Sequence, residues 1–268
     1  ITGTNGTGGW WKNASFSANS TDAHSGVQTT ILTVNGTVRS IPFNVSEGTN
    51  TIVMTVSDVA GNTTSKTWNV NVDSNAPTIT PNLSGVTGDT GWYRSATFTA
   101  SAVDAVSGVK SISITDNGAA KSFPFTLSDG THTIVVTSVD NAGNISTRTI
   151  NASVDSTAPV ISPSYLGTEG EPGWWISTLE VSAAASDPIS GIAALEISRD
   201  GGVTWKPLPQ SFDDGIYAMI LRARDKAGNV STVERTLSVD TVNPTLQATK
   251  TGTFGKGYWY ITPVNISL

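Results

Sequence analysis

The sequence predicts an all-β protein that consists of several β-sandwiches in tandem. First, four short motifs recur in a fixed order at intervals of about 82 residues, which is the signature of a repeat protein. Second, short runs of β-branched residues alternate with Gly, Asn and Asp turn signals, which fits about six or seven strands per repeat. Third, no amphipathic helical pattern of about 10 residues or more is present.

The four motifs define the repeats. They are a Gly-aromatic pair, an acidic residue followed by Ser-Gly, the turn Asp-x-Ala-Gly-Asn, and Val-Asp-x-x-x-Pro. Their Gly or Asp residues are, in chain order, Gly9, Asp22, Asp58 and Asp73, then Gly91, Asp104, Asp140 and Asp155, then Gly173, Asp187, Asp225 and Asp240. A further aromatic pair at Tyr258-Trp259 marks another repeat. We therefore expect repeat 1 in residues 1–73, repeat 2 in 74–155, repeat 3 in 156–240 and the start of repeat 4 in 241–268.

Both ends of the chain fall inside a repeat. Residues 1–8 align with Leu83–Thr90, so we expect repeat 1 to lack the first strand that Pro77–Thr80 supplies to repeat 2. At the other end, Leu268 falls within the second strand of repeat 4. This pattern predicts a window from a longer array, with a subunit that lends a strand to its neighbour as the alternative.

The strand signals are clearest late in each repeat. Ile52–Val56 and Ile134–Thr137 are β-branched runs bounded by turns. Met219, Leu221 and Ala223 alternate with Ile220, Arg222 and Arg224, the period-two pattern of a half-buried strand. One repeat is too short for a closed barrel and about twice as long as a propeller blade, so a sandwich is favoured.

Composition excludes several classes of function. The 268 residues include no Cys and only 2 His, which argues against disulfide frameworks, zinc sites and thiol catalysis. The net charge of −6 argues against a nucleic-acid-binding surface. No apolar run approaches the roughly 20 residues that span a bilayer, so no membrane insertion is expected in this segment.

The motifs together resemble the tandem immunoglobulin-like repeats of bacterial cell-surface proteins. The resemblance covers three nearly full repeats and part of a fourth. It implies all-β immunoglobulin-like sandwiches, arranged as an extended rod in an extracellular or cell-surface setting. Such repeats form stalks, adhesin shafts, filament bodies and spacers in secreted enzymes, so the resemblance leaves the molecular function open.

The Asp-rich loops are candidate calcium sites. In an immunoglobulin-like repeat, two of these loops lie where the chain enters, and the preceding linker brings its Asp to the same end. The pattern favours turn capping, with a calcium site of carboxylates, carbonyls and water as the alternative. The candidate ligands are Asp73, Asp104 and Asp140 at one junction and Asp155, Asp187 and Asp225 at the next.

The tryptophans are concentrated in the Gly-aromatic segments. Their repetition favours a role in packing neighbouring repeats together, for which the candidates are Trp10, Trp92, Trp174 and Trp259. The alternative is a set of exposed rings that stack on sugars, which would require Trp11 and Trp175 to be exposed.

The remaining motifs are interpreted as structural. Asp200-Gly201-Gly202 resembles an Asp-box hairpin, and a single copy favours a self-stabilised turn over a sialidase. His24 and His132 occupy positions that other repeats fill with different residue types, so no relay or ligand role is expected. Eleven Asn-x-Ser/Thr sequons are glycan acceptors only where the source organism has the enzyme. They are at Asn5, Asn13, Asn19, Asn35, Asn44, Asn62, Asn82, Asn144, Asn151, Asn229 and Asn265.

No nucleophile–base–acid set recurs in the repeats, and we expect no catalytic residue and no required cofactor. The predicted function is a non-catalytic structural segment of a long extracellular repeat protein. The alternatives are a module that binds carbohydrate or protein and a spacer in a secreted enzyme. Expected partners are neighbouring repeats of the chain, with identical subunits in a filament or cell-surface glycans as further alternatives.

Overall fold

The computed structural model describes residues 1–267, and the strands in this part of the chain account for its regular structure. Across these residues, no helix has the length and apolar character needed to cross a membrane. The strands are β1 (Thr2–Asn5), β2 (Trp10–Phe16), β3 (Val27–Val34), β4 (Thr37–Val38), β5 (Phe43–Asn44), β6 (Gly48–Asp58), β7 (Thr63–Val72), β8 (Thr78–Thr87), β9 (Tyr93–Val103), β10 (Val109–Asp116), β11 (Ala119–Lys121), β12 (Phe125–Thr126), β13 (Gly130–Asp140), β14 (Ile145–Val154), β15 (Val160–Leu166), β16 (Trp174–Trp175), β17 (Leu179–Ser186), β18 (Ile192–Ser198), β19 (Lys206–Pro207), β20 (Gln210–Phe212), β21 (Gly215–Asp225), β22 (Val230–Val239), β23 (Thr249–Thr251) and β24 (Asn265–Ser267).

The chain divides into two compact units. The first unit consists of residues 1–157 together with 188–190 and 226–229, and it contains the first two predicted repeats. The second unit is the rest of the described chain, with the body of repeat 3 and the predicted start of repeat 4. Leu268, which the sequence places within the second strand of repeat 4, lies outside the described residues.

Each sandwich of the first unit is held together by one strand that pairs with both layers. In repeat 1, the first residues of β2 pair in parallel with β7, while the rest of β2 pairs with β1 and β5. The other layer continues from β7 through β6 and β3 to β4. In repeat 2, β9 pairs in the same way with β14, β8 and β12.

The expectation that repeat 1 lacks the strand residues corresponding to Pro77–Thr80 stays a prediction, and the structure shows the part of that strand that follows them. A short first strand, β1, pairs antiparallel with β2, and Thr2 lies opposite Ser15. This is the register in which Ser84 of β8 lies opposite Thr97. The difference is one of length, since β1 has 4 residues and β8 has 10.

In the second unit, the strands of the sandwich form two separate sheets. One sheet has the order β15-β17-β20 and the other has the order β16-β22-β21-β18-β19. Trp174 and Trp175 form the separate strand β16, which pairs in parallel with β22. Beyond the sandwich, β23 and β24 form an antiparallel pair.

A separate hydrophobic core stabilises each sandwich. Period-two alternation directs every second side chain of the long strands inward, where Phe16, Phe98 and Phe212 become fully buried in the three cores. Burying a side chain of this size contributes roughly 1.5–3 kcal/mol to the free energy of unfolding. The predictions of an all-β fold and of sandwiches in tandem are confirmed.

One polar position recurs at the start of the same strand in each sandwich, and it is buried in repeats 1 and 2 and half-buried in repeat 3. Asn50, His132 and Tyr217 each place a polar atom 2.7, 2.8 and 3.2 Å, respectively, from the carbonyl oxygen of the residue four positions earlier. His132 also contacts a carboxylate oxygen of Asp116 at 2.8 Å, and both side chains are buried. A polar side chain at this position therefore stabilises the turn that precedes the strand. This structural role could not be recognised in the sequence, because the residue type differs from repeat to repeat.

Candidate functional site at the acidic junction

Three segments of the first unit meet where repeat 1 ends and repeat 2 begins. They are the linker between β7 and β8, which starts at Asp73, the loop Asp104–Gly108 between β9 and β10, and the loop Asp140–Asn144 between β13 and β14. We call these segments the junction. Each loop follows a long strand of repeat 2, so the sandwich itself brings both loops to the linker.

The junction concentrates negative charge. Carboxylate oxygens of Asp73, Asp104 and Asp140 all lie within 4.8 Å of one another. Asp73 and Asp140 are fully buried and Asp104 is half-buried. None of the described Lys or Arg residues forms an ion pair with these three groups. Carboxylates that are this close and this shielded from water repel one another unless hydrogen bonds or a cation offset the charge.

Backbone N–H groups offset part of this charge. One oxygen of Asp104 accepts hydrogen bonds from the N–H groups of Val106, Ser107 and Gly108 at 3.1, 3.0 and 2.9 Å. Asp140 accepts the backbone N–H of Asn144 at 2.7 Å. These are the contacts of turn capping, and a carboxylate that accepts them still has further lone pairs.

Asp73 connects the linker to repeat 2. Its carboxylate accepts the N–H groups of Asn75 and Ser107, both at 3.0 Å. Burial acts to raise the pKa of Asp73, but the hydrogen bonds from Ser107 and Asn75 outweigh it and hold the pKa below the ordinary value of 3.8. Asp73 therefore stays ionised inside the junction at neutral pH.

Asn144 is the functional residue that sequence reasoning missed. Its amide nitrogen donates to the carbonyl oxygens of Asp73 at 2.8 Å and Asn75 at 3.0 Å, and it contacts the Asp140 carboxylate at 2.8 Å. The sequence singled out Asn144 as the last residue of a recurrent turn and as a sequon, but not as a residue that contacts the linker. The available signal was the Asn that ends Asp-x-Ala-Gly-Asn in every repeat, at a position where a turn alone does not require an amide.

A close backbone approach completes the junction. Ala142 is fully buried against Gly6, where a Cβ atom would overlap the Ala142 carbonyl group. The neighbouring Thr7 donates its N–H and its hydroxyl to the carbonyl oxygen of Asn141 at 2.7 and 3.0 Å. Glycine is therefore required at position 6 by contact with the next repeat, not by its own backbone conformation.

The first unit contains the same set of contacts a second time. The amide of Asn229 donates to the carbonyl oxygens of Asp155 and Thr157 at 2.9 and 3.1 Å, and the N–H of Ser190 donates to the Asp155 carboxylate at 3.1 Å. Ala227 is fully buried, and a Cβ atom on Gly88 would overlap its carbonyl group. Repetition of the whole set shows that these contacts are a property of the repeat.

The second predicted group of acidic residues is divided between the two units. Asp155 lies in the first unit, where it is fully buried. Asp187 and Asp225 lie in the second unit, where Asp225 is buried and Asp187 accepts the N–H of Gly191 at 3.0 Å.

The aromatic residues of the Gly-aromatic segments fall into two groups, inner residues that are more buried and outer residues that are more exposed. The inner residues, Trp11 and Trp175, pack against or within the sandwich cores, and Trp175 is only 6% exposed. This burial removes Trp175 from an exposed sugar-stacking surface, and Trp11 is half-buried. Each also accepts a linker N–H on its backbone carbonyl, from Asp73 at 2.8 Å and from Asp240 at 2.9 Å.

The outer residues are more exposed. Trp10 and Trp92 are half-buried, while Trp174 and Trp259 are 42% and 77% exposed. The contacts described above between consecutive repeats of the first unit come from loops and linkers. The predicted packing role of the four outer tryptophans stays a prediction.

The Asp-box-like segment forms a self-contained hairpin. Asp200 accepts the Thr204 hydroxyl at 2.6 Å and the N–H groups of Thr204 and Val203 at 2.9 and 3.1 Å. These bonds, first of all the one from the Thr204 hydroxyl, hold the pKa of Asp200 well below its usual range. All of these contacts stabilise the turn.

A family model matches most of repeat 2 and most of repeat 3. The family model of the bacterial Ig-like domain matches residues 83–156 and 177–241, which together exceed half of the chain. The chain belongs to the bacterial Ig-like domain family. The resemblance inferred from the motifs is confirmed, and the acidic junction lies within the first matched segment except for its linker residues, which precede it.

Solved structures show distant similarity to this bacterial Ig-like chain. Fibronectin(III)-like modules of Clostridium thermocellum CbhA are 14% identical over 63% of this chain and 99% of theirs, with a TM-score of 0.31. A 1.5-MDa bacterial ice-binding adhesin is 16% identical over 79% of this chain and 85% of its own, with a TM-score of 0.32. A Ca2+-stabilised adhesin of an Antarctic bacterium is 19% identical over 89% and 71%, with a TM-score of 0.30. These TM-scores are low, and the similarities carry no functional information about this chain. No curated protein matches.

Replacing Asn144 tests whether the amide joins the repeats. Asn144→Ala removes the donor to two linker carbonyls, so we expect the linker to become free to move and the junction to lose about 1–2 kcal/mol. Asn62→Ala is the matched control, because Asn62 ends the same turn in repeat 1 and its amide contacts Asp58. Hydrogen exchange at residues 73–77, measured by mass spectrometry, should accelerate in Asn144→Ala and not in Asn62→Ala. Equal exchange in both variants would contradict a joining role.

Proposed function

We propose that this bacterial Ig-like chain is a non-catalytic structural segment of an extracellular repeat protein, in which consecutive sandwiches are held in a fixed orientation. The observation that supports this function is the junction. Its loops satisfy the backbone groups of the preceding linker, and the same set of contacts occurs twice in the first unit. A protein built in this way would act as a stalk, adhesin shaft or filament body, by length and stiffness.

The short linkers support the same proposal. Between β7 and β8 only residues 73–77 are outside strands, and Pro77 restricts one backbone angle. A linker this short leaves little freedom of movement between the first two sandwiches.

We further propose that calcium binds at the junction. Calcium takes six to eight oxygen ligands, and Asp73, Asp104 and Asp140 would supply the charged ones. The donor set fits a hard divalent cation, because it contains three carboxylates and no nitrogen or sulfur ligand. Bound calcium would neutralise charge that the N–H groups offset only in part. The candidate ligands Asp155, Asp187 and Asp225 belong to different units and stay a prediction from the sequence.

A calcium titration of chelator-treated protein checks this proposal. At a calcium concentration 100 times the Kd, binding stabilises a folded protein by about 2.7 kcal/mol, so we expect the Tm to rise. Asp104→Asn keeps an oxygen acceptor for the loop N–H groups but removes the charge, and it should lower the bound calcium by one ion per chain in isothermal titration calorimetry.

Asp22→Asn is the matched control for this experiment. Asp22 occupies the same loop position in repeat 1 and accepts N–H groups from His24 and Gly26 in the same way. Its substitution should leave the calcium stoichiometry unchanged. A Tm that does not respond to calcium at about 10 mM, well above the weakest extracellular sites, would overturn the calcium proposal.

Immunogold electron microscopy of the cells that produce the protein tests the structural function. Regular label along continuous fibres would identify a filament or sheath body. Sparse label at the tips or bases of separate projections would identify a stalk or an adhesin shaft. Label confined to the cell interior would contradict the proposal.

A further inference from the structure

Lys12 reaches from repeat 1 to the acidic junction. It follows Trp11 on β2, and because side chains alternate along a strand, Trp11 packs on the core of repeat 1 while Lys12 points away from it. A Cβ atom placed on Gly143 would lie 3.2 Å from Cε of Lys12 and 3.9 Å from its Nζ. Lys12 is half-buried in this position. Its ammonium group therefore lies over the loop that carries Asp140.

The backbone on both sides of this contact belongs to the junction. Next to Lys12, the carbonyl oxygen of Trp11 accepts the N–H of Asp73 at 2.8 Å. On the other side, the N–H of Gly143 donates to the carbonyl oxygen of Asp140 at 3.2 Å, so Gly143 lies in the tight turn that begins at this carboxylate. The Lys12 side chain therefore spans from the strand beside Asp73 to the loop of Asp140.

The positive charge of Lys12 is not used in an ion pair within residues 1–267. The other charged side chain that lines the same groove, of about 570 Å3, is Glu47. Its carboxylate accepts the N–H and the hydroxyl of Ser74 at 3.1 and 2.8 Å. Lys12 is thus a cation held close to the buried carboxylates of the junction without contacting them, and its charge acts on them over a longer distance.

The corresponding loop glycine of the next repeat has the opposite charge beside it. A Cβ atom on Gly228 would lie 3.6 Å from a carboxylate oxygen of Asp89, and Asp89 holds the position of Thr7 in repeat 1. Arg94, which holds the position of Lys12, is exposed. The fold of the loop therefore does not require a cation over its glycine, and the half-buried ammonium group is a particular feature of the first junction.

We propose that Lys12 is a fixed counter-ion of the acidic junction that competes electrostatically with calcium. Without calcium, the ammonium group reduces the repulsion among the three carboxylates. With calcium, it repels the bound ion and weakens binding, because both are cations. Lys12 therefore keeps the joint formed when calcium is scarce and raises the concentration at which calcium binds. The competition rests on the proposed calcium site, whereas the counter-ion role does not.

Lys12→Met in the 268-residue chain tests the proposal, because Met keeps an unbranched apolar side chain over Gly143 and removes the charge. In chelator-treated protein at low ionic strength, the Tm should fall. In isothermal titration calorimetry, the calcium Kd should also fall, about fivefold, which corresponds to about 1 kcal/mol. Both effects should shrink in about 1 M NaCl, where the Debye length is about 3 Å. Loss of packing alone would lower the Tm without strengthening calcium binding.

Lys66→Met is the matched control, because it changes the net charge equally at a site away from the junction. Lys66 is exposed on β7, opposite Met54, and its substitution should leave the calcium Kd unchanged. A Kd that is the same in Lys12→Met and the parent chain, or that falls equally in both variants, would overturn the proposal. If the parent chain takes up no calcium, the calcium proposal fails by itself. The chelator-treated Lys12→Met then decides the counter-ion role, which an unchanged Tm would contradict.

Discussion

The hydrogen bonds from the Asn144 amide to the carbonyls of Asp73 and Asn75 are the contacts on which the arrangement of the first two repeats depends. A linker outside regular structure has backbone groups that need partners, and water usually supplies them. Here the next sandwich supplies them, so the linker cannot change direction without losing its hydrogen bonds. The buried contact between Ala142 and Gly6 then excludes water from the same place.

Negative charge is the second constraint on the junction. Two of its three carboxylates are fully buried, and burial of a charge is costly unless hydrogen bonds or an opposite charge accompany it. The loop N–H groups meet part of this requirement, and their geometry depends on both loops being folded. A bound cation would offset the remaining negative charge. If calcium binds as proposed, the joint between the sandwiches would respond to the ions around it, whereas the three apolar cores would not.

Much of the fold could be predicted because the repeat makes each motif visible three times. The Asp residues of the loops and the linker were found in this way, and the structure brings Asp73, Asp104 and Asp140 together. The partner of Asn144 could not be predicted, because it depends on how two sandwiches meet and not on local sequence. Likewise, β1 was missed because four residues carry too little alternation to indicate a strand. The buried pair of His132 and Asp116 occurs in one repeat only, so comparison of repeats concealed it.

The central claim is that the junction holds the first two sandwiches as one rigid body. Residual dipolar couplings of backbone amides in a partially aligned sample measure this directly, because each rigid body reports a single alignment tensor. The account predicts that couplings from residues 10–72 and 78–154 fit one common tensor. Two tensors of different magnitude, one for each sandwich, would show that the linker moves freely and would contradict the account.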